Sequence, residues 1–202
     1  TKVSKEFADV YKGDYAHFTL KEISEQPDAI LRAGNNDQIQ QFVDGIKQAK
    51  NLYITGSGTS YNAAEIAKYL MSKFAKIKIN TIIVSELPFS ADDIERGSTL
   101  VAISQSGESA DVLEAVKIAK ESNTNILSIV NHLNSSLSQE SSLLMGLNCG
   151  PEIGVAATKS FTSQLTILYK ITDELCNGCI NPDWKKLSSI VSKILSNHSK
   201  IK

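Results

Sequence analysis

The sequence has 202 residues, 42% of them hydrophobic and 21% charged, which is typical of a globular domain with a sizeable core. Its formal net charge of -1, without a basic stripe or an acidic tail, excludes the electrostatic pattern of a nucleic-acid-binding protein. The apolar runs are far shorter than the roughly 20 residues that span a bilayer, and no signal-peptide pattern opens the chain. We therefore expect a cytoplasmic protein that binds neither nucleic acid nor a membrane.

The amino-terminal part of the chain is predicted to be a linker followed by helices. Residues 1–16, TKVSKEFADVYKGDYA, are polar and are predicted to link the chain to an upstream domain, whereas residues 17–202 are predicted to form one domain. Helical patterns then occur in HFTLKEISEQPDAILRA and DQIQQFVDGIKQAK, where Pro27 is expected to kink or restart a helix.

Five short apolar runs follow, alternating with segments of helical periodicity. Strands are predicted at NLYIT, KINTIIV, TLVAIS, NILSIV and SSLLMGLN. Helices are predicted at residues 61–74, 110–121 and 135–141. This alternation predicts an α/β fold, a doubly wound and mostly parallel five-stranded sheet with helices on both faces.

Two amphipathic segments, SFTSQLTILYKITDEL and DWKKLSSIVSKILSNHSK, follow the last predicted strand. We expect them to cover the sheet edges or to contact a partner. Because their apolar faces exceed what one edge of a small sheet needs, they also predict a homodimer.

Cys176 and Cys179 form a C-x-x-C pair. Two thiols supply half of a zinc site, and the sequence contains no second C-x-x-C or nearby His pair to complete it. Structural thiols are therefore favoured over a metal or redox site, and a disulfide between the two remains open. We predict no metal and no cofactor.

Two loops of similar composition follow predicted strands in successive βα units, ITGSGTS and ISQSGES. In open parallel sheets, ligands bind beyond the carboxyl ends of the strands. Each loop places glycines and hydroxyl groups at a helix N-terminus, where unpaired N–H groups and the helix dipole attract an anion. Ordinary turns and caps would explain one such loop. Two at equivalent places favour a phosphate site.

The two loops do not match the common nucleotide-binding patterns. Tyr61 occupies the place of the third glycine of a dinucleotide fingerprint, and no acidic residue follows at the ribose-binding distance. No Gly-Lys-Ser/Thr sequence completes a Walker loop. Because neither loop contains Lys or Arg, the pattern favours a small monophosphate held by neutral donors.

A third segment, CGPEIGVAATKSFTSQL, follows the last predicted strand. Lys159 stands at a helix start and opposes the dipole, so we expect it to form a salt bridge that shapes the loop. Glu152 is the only plausible base near the candidate phosphate site, since Glu108 is better suited to stabilising a helix dipole and His17 to capping or packing. No catalytic residue is assigned.

The motifs GSGTSYNAA, SQSGESAD, NSSLSQES and EIGVAATKSFTSQL, in this order and spacing, resemble those of SIS (sugar isomerase) domains, which have a flavodoxin-like fold. With YKGDYAHFTLKEI and HFTLKEISEQPDAI, the chain is more closely similar to the first of two SIS domains in glutamine:fructose-6-phosphate aminotransferases. The resemblance implies that the substrate is bound by Thr59, Ser60, Ser104, Gln105, Ser106, Ser109, Val155 and Ala156.

Within this set, the resemblance implies distinct roles. Ser104, Gln105 and Ser106 match the phosphate loop, and Ser109 replaces the threonine that closes it while keeping the hydroxyl. Thr59 and Ser60 match the first substrate-binding pair, and Val155 and Ala156 match backbone positions that face the sugar. Ala157 stands where the family often has a serine, so one contact to a sugar hydroxyl is in question.

The resemblance further implies binding of a hexose 6-phosphate, fructose 6-phosphate or glucosamine 6-phosphate, without metal or redox cofactor. In the family, the acid/base residues of isomerisation lie in a second SIS domain and its tail, and a glutaminase domain supplies ammonia. We therefore expect a phosphosugar-binding half-site that lacks catalytic activity by itself. The alternatives are a stand-alone sugar-phosphate isomerase or amino-sugar-phosphate deaminase, and a non-catalytic phosphosugar sensor.

Overall fold

A five-stranded parallel sheet lies at the centre of the structure, a computed structural model that describes residues 11–36, 38–89, 92 and 94–197. The strand order is β2-β1-β3-β4-β5, and all four neighbouring pairs are parallel. The predicted doubly wound α/β sheet is thus confirmed, with strands that are shorter than several of the apolar runs. The strands are β1 (Leu52–Gly56), β2 (Asn80–Ile83), β3 (Thr99–Ser104), β4 (Asn125–Val130) and β5 (Leu143–Gly146).

Helices precede, connect and follow the strands. A π-helical turn (Met71–Ala75) extends the fourth helix, and a 3-10 turn (Leu87–Phe89) follows β2. The described α-helices are α1 (Phe18–Ser24), α2 (Gln26–Gly34), α3 (Ile39–Lys47), α4 (Thr59–Leu70), α5 (Ala110–Glu121), α6 (Ser136–Gln139), α7 (Lys159–Leu175) and α8 (Trp184–Ser196).

Each face of the sheet is covered by its own hydrophobic core. On one face, α2, α3, α4 and α7 enclose a cluster that includes Phe42, Ile54 and Val101. On the other face, α5 and α6 enclose a cluster that includes Leu100 and Leu137. Side chains alternate along a strand, so neighbouring residues such as Leu100 and Val101 supply the two cores in turn. Helices on both faces therefore leave the strand ends as the accessible part of the sheet.

The lead-in and the last helices differ in detail from the sequence prediction. Pro27 lies in the first turn of α2, where its missing N–H costs no helical hydrogen bond, so the predicted lead-in helix divides into α1 and α2. Helix α7 covers no sheet edge. It packs across one face against α2, α3 and α4, and its apolar side chains Ile167, Leu168 and Ile171 are fully buried.

Helix α8 packs on the outside of α2, where the ring of Trp184 lies against Gly34. A Cβ at Gly34 would come within 2.5 Å of that ring, so only glycine allows this contact. Leu187, Ile190 and Ile194 remain about half exposed on α8. With α7 buried inside the domain, the predicted homodimer rests on the apolar stripe of α8 and stays a prediction. Residues 198–200 of the predicted last helix lie outside the described residues.

The prediction of a linker at residues 1–16 is covered in part by the structure. Residues 1–10 lie outside the described part of the chain. Among the six that are described, Lys12 donates to the backbone oxygen of Ala16, and Tyr15 accepts a hydrogen bond from Ser24 at 2.8 Å. The division into a linker and one domain stays a prediction. Within the described ranges, every helix is too short or too polar to cross a membrane.

Candidate functional site

Two loops leave neighbouring strands side by side at one end of the sheet. Gly56 of β1 pairs with Ile103 of β3, so Ser57 and Ser104, which follow them, leave the sheet at the same level. β1 lies between β2 and β3 in the strand order, which makes this the point where the order of the sheet reverses. The crevice at such a point is where open α/β sheets bind ligands.

The loop after β1 is tight because two glycines allow it. A Cβ at Gly56 would lie 2.8 Å from backbone carbon of Ser60, and Gly58 has a φ of 56°, which favours glycine. The N–H of Ser60 donates to the oxygen of Ser57 at 3.1 Å. In the described part of the chain, the N–H groups of Ser57, Gly58 and Thr59 have no acceptor, so they are free to donate to an anion.

The loop after β3 is held by its own serines. The hydroxyl oxygen of Ser104 accepts from the N–H of Gly107 at 3.0 Å, and that of Ser106 accepts from the N–H of Glu108 at 3.1 Å. Both hydroxyl groups keep their protons for another acceptor, because no described residue receives them. Ser109 is the N-cap residue of α5 but makes no side-chain capping bond to a described residue. The predicted phosphate loop therefore retains three hydroxyl donors.

Gly107 connects this loop to the segment after β4. Its φ is 69°, and a Cβ there would lie 2.1 Å from the hydroxyl oxygen of Ser135. The Gly107 oxygen accepts from the N–H of Leu137 at 3.0 Å, and the Gln105 oxygen accepts from the N–H of Asn131 at 3.2 Å. The phosphate loop is thus fixed by the residue that follows β4 and by the start of α6.

Glu108 serves a different helix from the one expected. Its carboxylate accepts from both the backbone N–H and the hydroxyl group of Ser136, each at 2.8 Å. It therefore stabilises the start of α6 rather than that of α5, which follows it directly. The hydrogen bonds from Ser136 lower the pKa of Glu108, because they stabilise the charged form.

Glu152 is the one plausible base that the sequence offers near the site, and its carboxylate already accepts hydrogen bonds from nearby residues of the chain. Its carboxylate accepts from the N–H of Thr158 at 2.9 Å, the hydroxyl of Thr158 at 3.1 Å, and the N–H of Ser160 at 3.1 Å, and it also bonds the Ser160 hydroxyl. Four donors at the first turn of α7 make Glu152 a cap for that helix. Glu152 thus holds the start of α7, and the assignment of no catalytic residue stays a prediction.

Helix α1 holds the loop between β5 and α7. Glu22 of α1 is only 2% exposed, and its carboxylate accepts from the N–H of Ile153 at 2.5 Å and from that of Gly154 at 2.9 Å. A Cβ at Gly154 would lie 2.5 Å from a Glu22 carboxylate oxygen, so the close approach requires glycine. Val155 and Ala156, expected to face the sugar, follow this anchor and are exposed.

The expected salt bridge of Lys159 is confirmed. Lys159 is 2% exposed, and its ammonium nitrogen lies 2.6 Å from one carboxylate oxygen of Glu25. The other oxygen of Glu25 lies 2.5 Å from the ammonium nitrogen of Lys21. Burial alone would raise the pKa of Glu25, but the hydrogen bonds and charges of Lys159 and Lys21 outweigh it, so the pKa is lowered. A second contact between α1 and the start of α7 thereby positions the loop.

The cysteines form no metal centre in the described structure. Cys176 and Cys179 are joined in a disulfide just after α7. Cys149 is buried and its thiol donates to Asn131 at 3.1 Å, and burial raises its pKa to about 12, so it is not a nucleophile. In the ranges that the structure describes, no group of three His, Cys, Asp or Glu side chains could hold a metal ion.

The structure places the predicted site residues in three loops at one end of the sheet. A contact between helices links the first loop to the third: Gln164 of α7 donates to the hydroxyl oxygen of Ser60 at 3.0 Å. Whether the predicted residues bind substrate stays a prediction. They are Thr59 and Ser60 after β1, Ser104, Gln105, Ser106 and Ser109 after β3, and Val155 and Ala156 before α7.

Sequence reasoning missed three residues that build the site, Glu22, Asn131 and Gln164. Glu22 and Gln164 are buried polar residues on amphipathic helices, and a polar residue at a buried helical position is a signal the sequence contains. Asn131 bonds the backbone around Cys149 and Gly150 from the end of β4. Their partners lie up to 132 residues away, which no local pattern shows.

Comparisons with known proteins agree with this architecture. The family model described as the SIS domain matches residues 45–171. The glutamine–fructose-6-phosphate aminotransferase (isomerizing) of Thermotoga maritima is 37% identical over 194 residues, which cover 91% of this chain and 32% of that protein. The chain thus spans about a third of the length of this curated relative.

Two solved structures extend the comparison. The C-terminal domain of glucosamine-fructose-6-phosphate aminotransferase from Francisella tularensis is 33% identical, with a TM-score of 0.74 over 93% of this chain and 55% of that one. A glucosamine-6-phosphate deaminase from Thermotoga maritima is 25% identical, with a TM-score of 0.71 over 88% of this chain and 54% of that one. The family model covers more than half of the chain, and the solved structures share its fold. The chain therefore belongs to the SIS domain family.

Proposed function

We propose that this chain is the phosphosugar-binding half of the isomerase part of an amidotransferase that makes glucosamine 6-phosphate from fructose 6-phosphate and glutamine-derived ammonia. The observation that carries the proposal is the pair of loops at the reversal of strand order. They hold the free N–H groups after Gly56 and the hydroxyl protons of Ser104 and Ser106 at the same end of the sheet. Similarity to aminotransferases of this kind supports the assignment.

The chemistry of the two loops suits a phosphate that must be released. All of their donors are neutral, and the helix dipoles supply the only positive field within the loops. Binding of the phosphate would fix the sugar relative to groups that handle C1 and C2, which uses remote binding energy for positioning.

The three ionisable residues that the sequence singles out beside the loops each bond another part of the chain. Glu152 caps α7, Glu108 stabilises α6, and Lys159 is paired with Glu25. Isomerisation needs a positioned base and a group that opens the ring. We therefore expect the purified 202-residue chain to bind a hexose 6-phosphate without converting it. A second SIS domain and a glutaminase domain are the partners this proposal requires.

Titration calorimetry tests the proposal. We expect fructose 6-phosphate and glucose 6-phosphate to bind the chain, and fructose and glucose not to bind. The double variant Ser104→Ala/Ser106→Ala should weaken binding by roughly 100-fold or more, because each lost charge-assisted hydrogen bond contributes about 1.5–3 kcal/mol. Ser189→Ala/Ser192→Ala on the exposed side of α8 is the matched control. Equal affinity for glucose and glucose 6-phosphate would disprove the phosphate site.

A stand-alone amino-sugar-phosphate deaminase or isomerase is the second candidate, supported by the similarity to the Thermotoga maritima deaminase. Such an enzyme would complete its site by dimerising. Turnover of glucosamine 6-phosphate by the isolated chain, in a coupled assay with a contaminant control, would favour it over the half-site.

Dimerisation through α8 and a cytoplasmic location belong to the same proposal. Light scattering at micromolar concentration should give twice the 22.0 kDa of the chain. If the chain is a monomer, we expect the exposed apolar side chains of Leu187, Ile190 and Ile194 to contact another domain of the protein instead.

A further inference from the structure

We infer that Gln164 is a positioning residue that directs the hydroxyl proton of Ser60 toward the bound phosphosugar. The inference rests on the proposed function and adds to it a residue that touches no ligand itself. Gln164 lies on α7 and is 1% exposed. Its side-chain N–H group donates to the Ser60 hydroxyl oxygen at 3.0 Å.

The contact fixes the direction of the Ser60 proton. A serine hydroxyl has one proton to donate and can accept through its oxygen. Gln164 occupies the oxygen as a donor, and no described residue accepts the proton of Ser60. Ser60 stands in the first turn of α4, directly after the free N–H groups of Ser57, Gly58 and Thr59. Its proton is therefore available to the same anion as those groups.

The other end of the Gln164 amide shows that this arrangement is not optimal for stability. The side-chain oxygen of Gln164 is buried and has no partner among the described residues. A buried acceptor without a partner destabilises a fold. An apolar side chain of the same size would avoid the unpaired oxygen. What it would lose is the bond to Ser60.

The orientation of the amide separates two roles. If the amide oxygen faced Ser60, the serine hydroxyl would donate to Gln164, and its proton would not be available to the ligand. Gln164→Glu mimics that state when its carboxyl group is ionised, because a carboxylate only accepts, so this variant is measured from neutral to alkaline pH. Gln164→Leu removes both donor and acceptor. If the donor role holds, both variants weaken binding, whereas an acceptor role would be preserved by glutamate.

The neighbouring residue provides a matched control. Ser163 lies on the same helix, is fully buried, and its hydroxyl oxygen also has no partner in the described structure. Ser163→Ala removes a buried polar group of α7 without removing any hydrogen bond. It should leave phosphosugar binding unchanged, so it reports on repacking of the helix alone.

The experiment measures the Kd for fructose 6-phosphate together with thermal unfolding, using the whole 202-residue chain. We expect Gln164→Leu and Gln164→Glu to weaken binding by about 3- to 10-fold, the loss typical of one hydrogen bond. We expect Gln164→Leu to melt no lower than Ser163→Ala. In the Ser60→Ala background, Gln164→Leu should cause no further loss, because it acts through Ser60. Gln164→Met serves as a second apolar variant if leucine impairs folding.

Each other outcome has one meaning. If the wild-type chain binds fructose 6-phosphate and Gln164→Leu binds it equally well, the inference is overturned and the proposed function stands. Binding retained by Gln164→Glu, or losses that add to those of Ser60→Ala, also overturn it. If the wild-type chain binds no phosphosugar, the proposed function fails and the inference with it.

Discussion

The loops after β1 and β3 differ from the loop before α7 in how each is held. The first two are shaped by neighbours within a few residues: Ser104 bonds Gly107, Ser106 bonds Glu108, and Ser57 bonds Ser60. The third is held from a distance, because its backbone N–H groups are bonded by Glu22 of α1, 131 and 132 residues away. The turns of the first two loops are thus formed by local bonds, although Gln105 and Gly107 also join the second loop to Asn131 and Leu137, whereas the backbone before Val155 depends on a tertiary contact.

This difference gives the two parts different sensitivities. A turn formed by local bonds depends on glycine at particular φ angles. A loop held by a distant carboxylate depends on the position of α1, which packs beside the start of α7 through the ion pair of Glu25 and Lys159. A shift of α1 would therefore change the loop that carries Val155 and Ala156 while leaving the phosphate loop in place.

The largest effect is expected from Gly107→Ala. The φ of 69° is unfavourable for alanine, and the new Cβ would meet Ser135 at 2.1 Å. The two penalties together should lower the free energy of unfolding by about 2–5 kcal/mol. Thermal unfolding of the variant measures this, and calorimetry should show that fructose 6-phosphate no longer binds.

Gly97→Ala is the control for the backbone part of that effect. Gly97 also has a positive φ, 75°, but a Cβ there would have no neighbour within 4 Å. Only the conformational penalty of about 1–2 kcal/mol should appear. Equal destabilisation by the two substitutions would contradict the close packing of the phosphate loop against α6.

The next effect concerns the distant anchor. Glu22→Ala removes the acceptor of two backbone N–H groups in a buried place, so the free energy of unfolding should fall by about 1.5–3 kcal/mol. Hydrogen exchange should accelerate at Ile153 and Gly154 and stay unchanged at Gly107. The exposed Glu114→Ala of α5 is the control. Faster exchange throughout the chain would show that α1 stabilises the whole domain rather than this loop.

The same division explains what the sequence could predict. The apolar runs and their alternation with helices predicted five parallel strands, because parallel strands buried on both faces consist of continuous apolar residues. The two glycine- and serine-rich loops were recognised because their determinants are adjacent in the chain. The pairing of Glu22 with Gly154 could not be, since a buried carboxylate on a short helix does not indicate which distant N–H group it meets.

Helix α7 shows a second limit of sequence reasoning. Its amphipathic pattern predicted a covering or partner-binding role, yet its apolar face is buried against α2, α3 and α4. Periodicity identifies an apolar face and not the surface that covers it. Polar residues buried on the same helix, among them Ser160, Ser163 and Gln164, distinguish an internal helix next to a site from an edge helix.

The smallest effect is expected from Glu108→Gln, which tests whether the local part of the site also depends on charge. The pKa of Glu108 is lowered from its usual 4.5 by the bonds from Ser136, so its contribution is present above that pH and is lost as the pH falls through the folded-state pKa. Glutamine has an NH₂ group in place of one carboxylate oxygen, so it cannot accept from Ser136 with two oxygens as Glu108 does. At pH 7 the Tm of the variant should be slightly below that of the wild type. The decrease should be smaller than those caused by Gly107→Ala and Glu22→Ala. This difference should shrink as the pH is lowered below 4.5 and the wild-type carboxylate is protonated. A difference in Tm that stays constant from pH 7 to pH 3 would mean that the shape of the side chain, and not its charge, holds the start of α6.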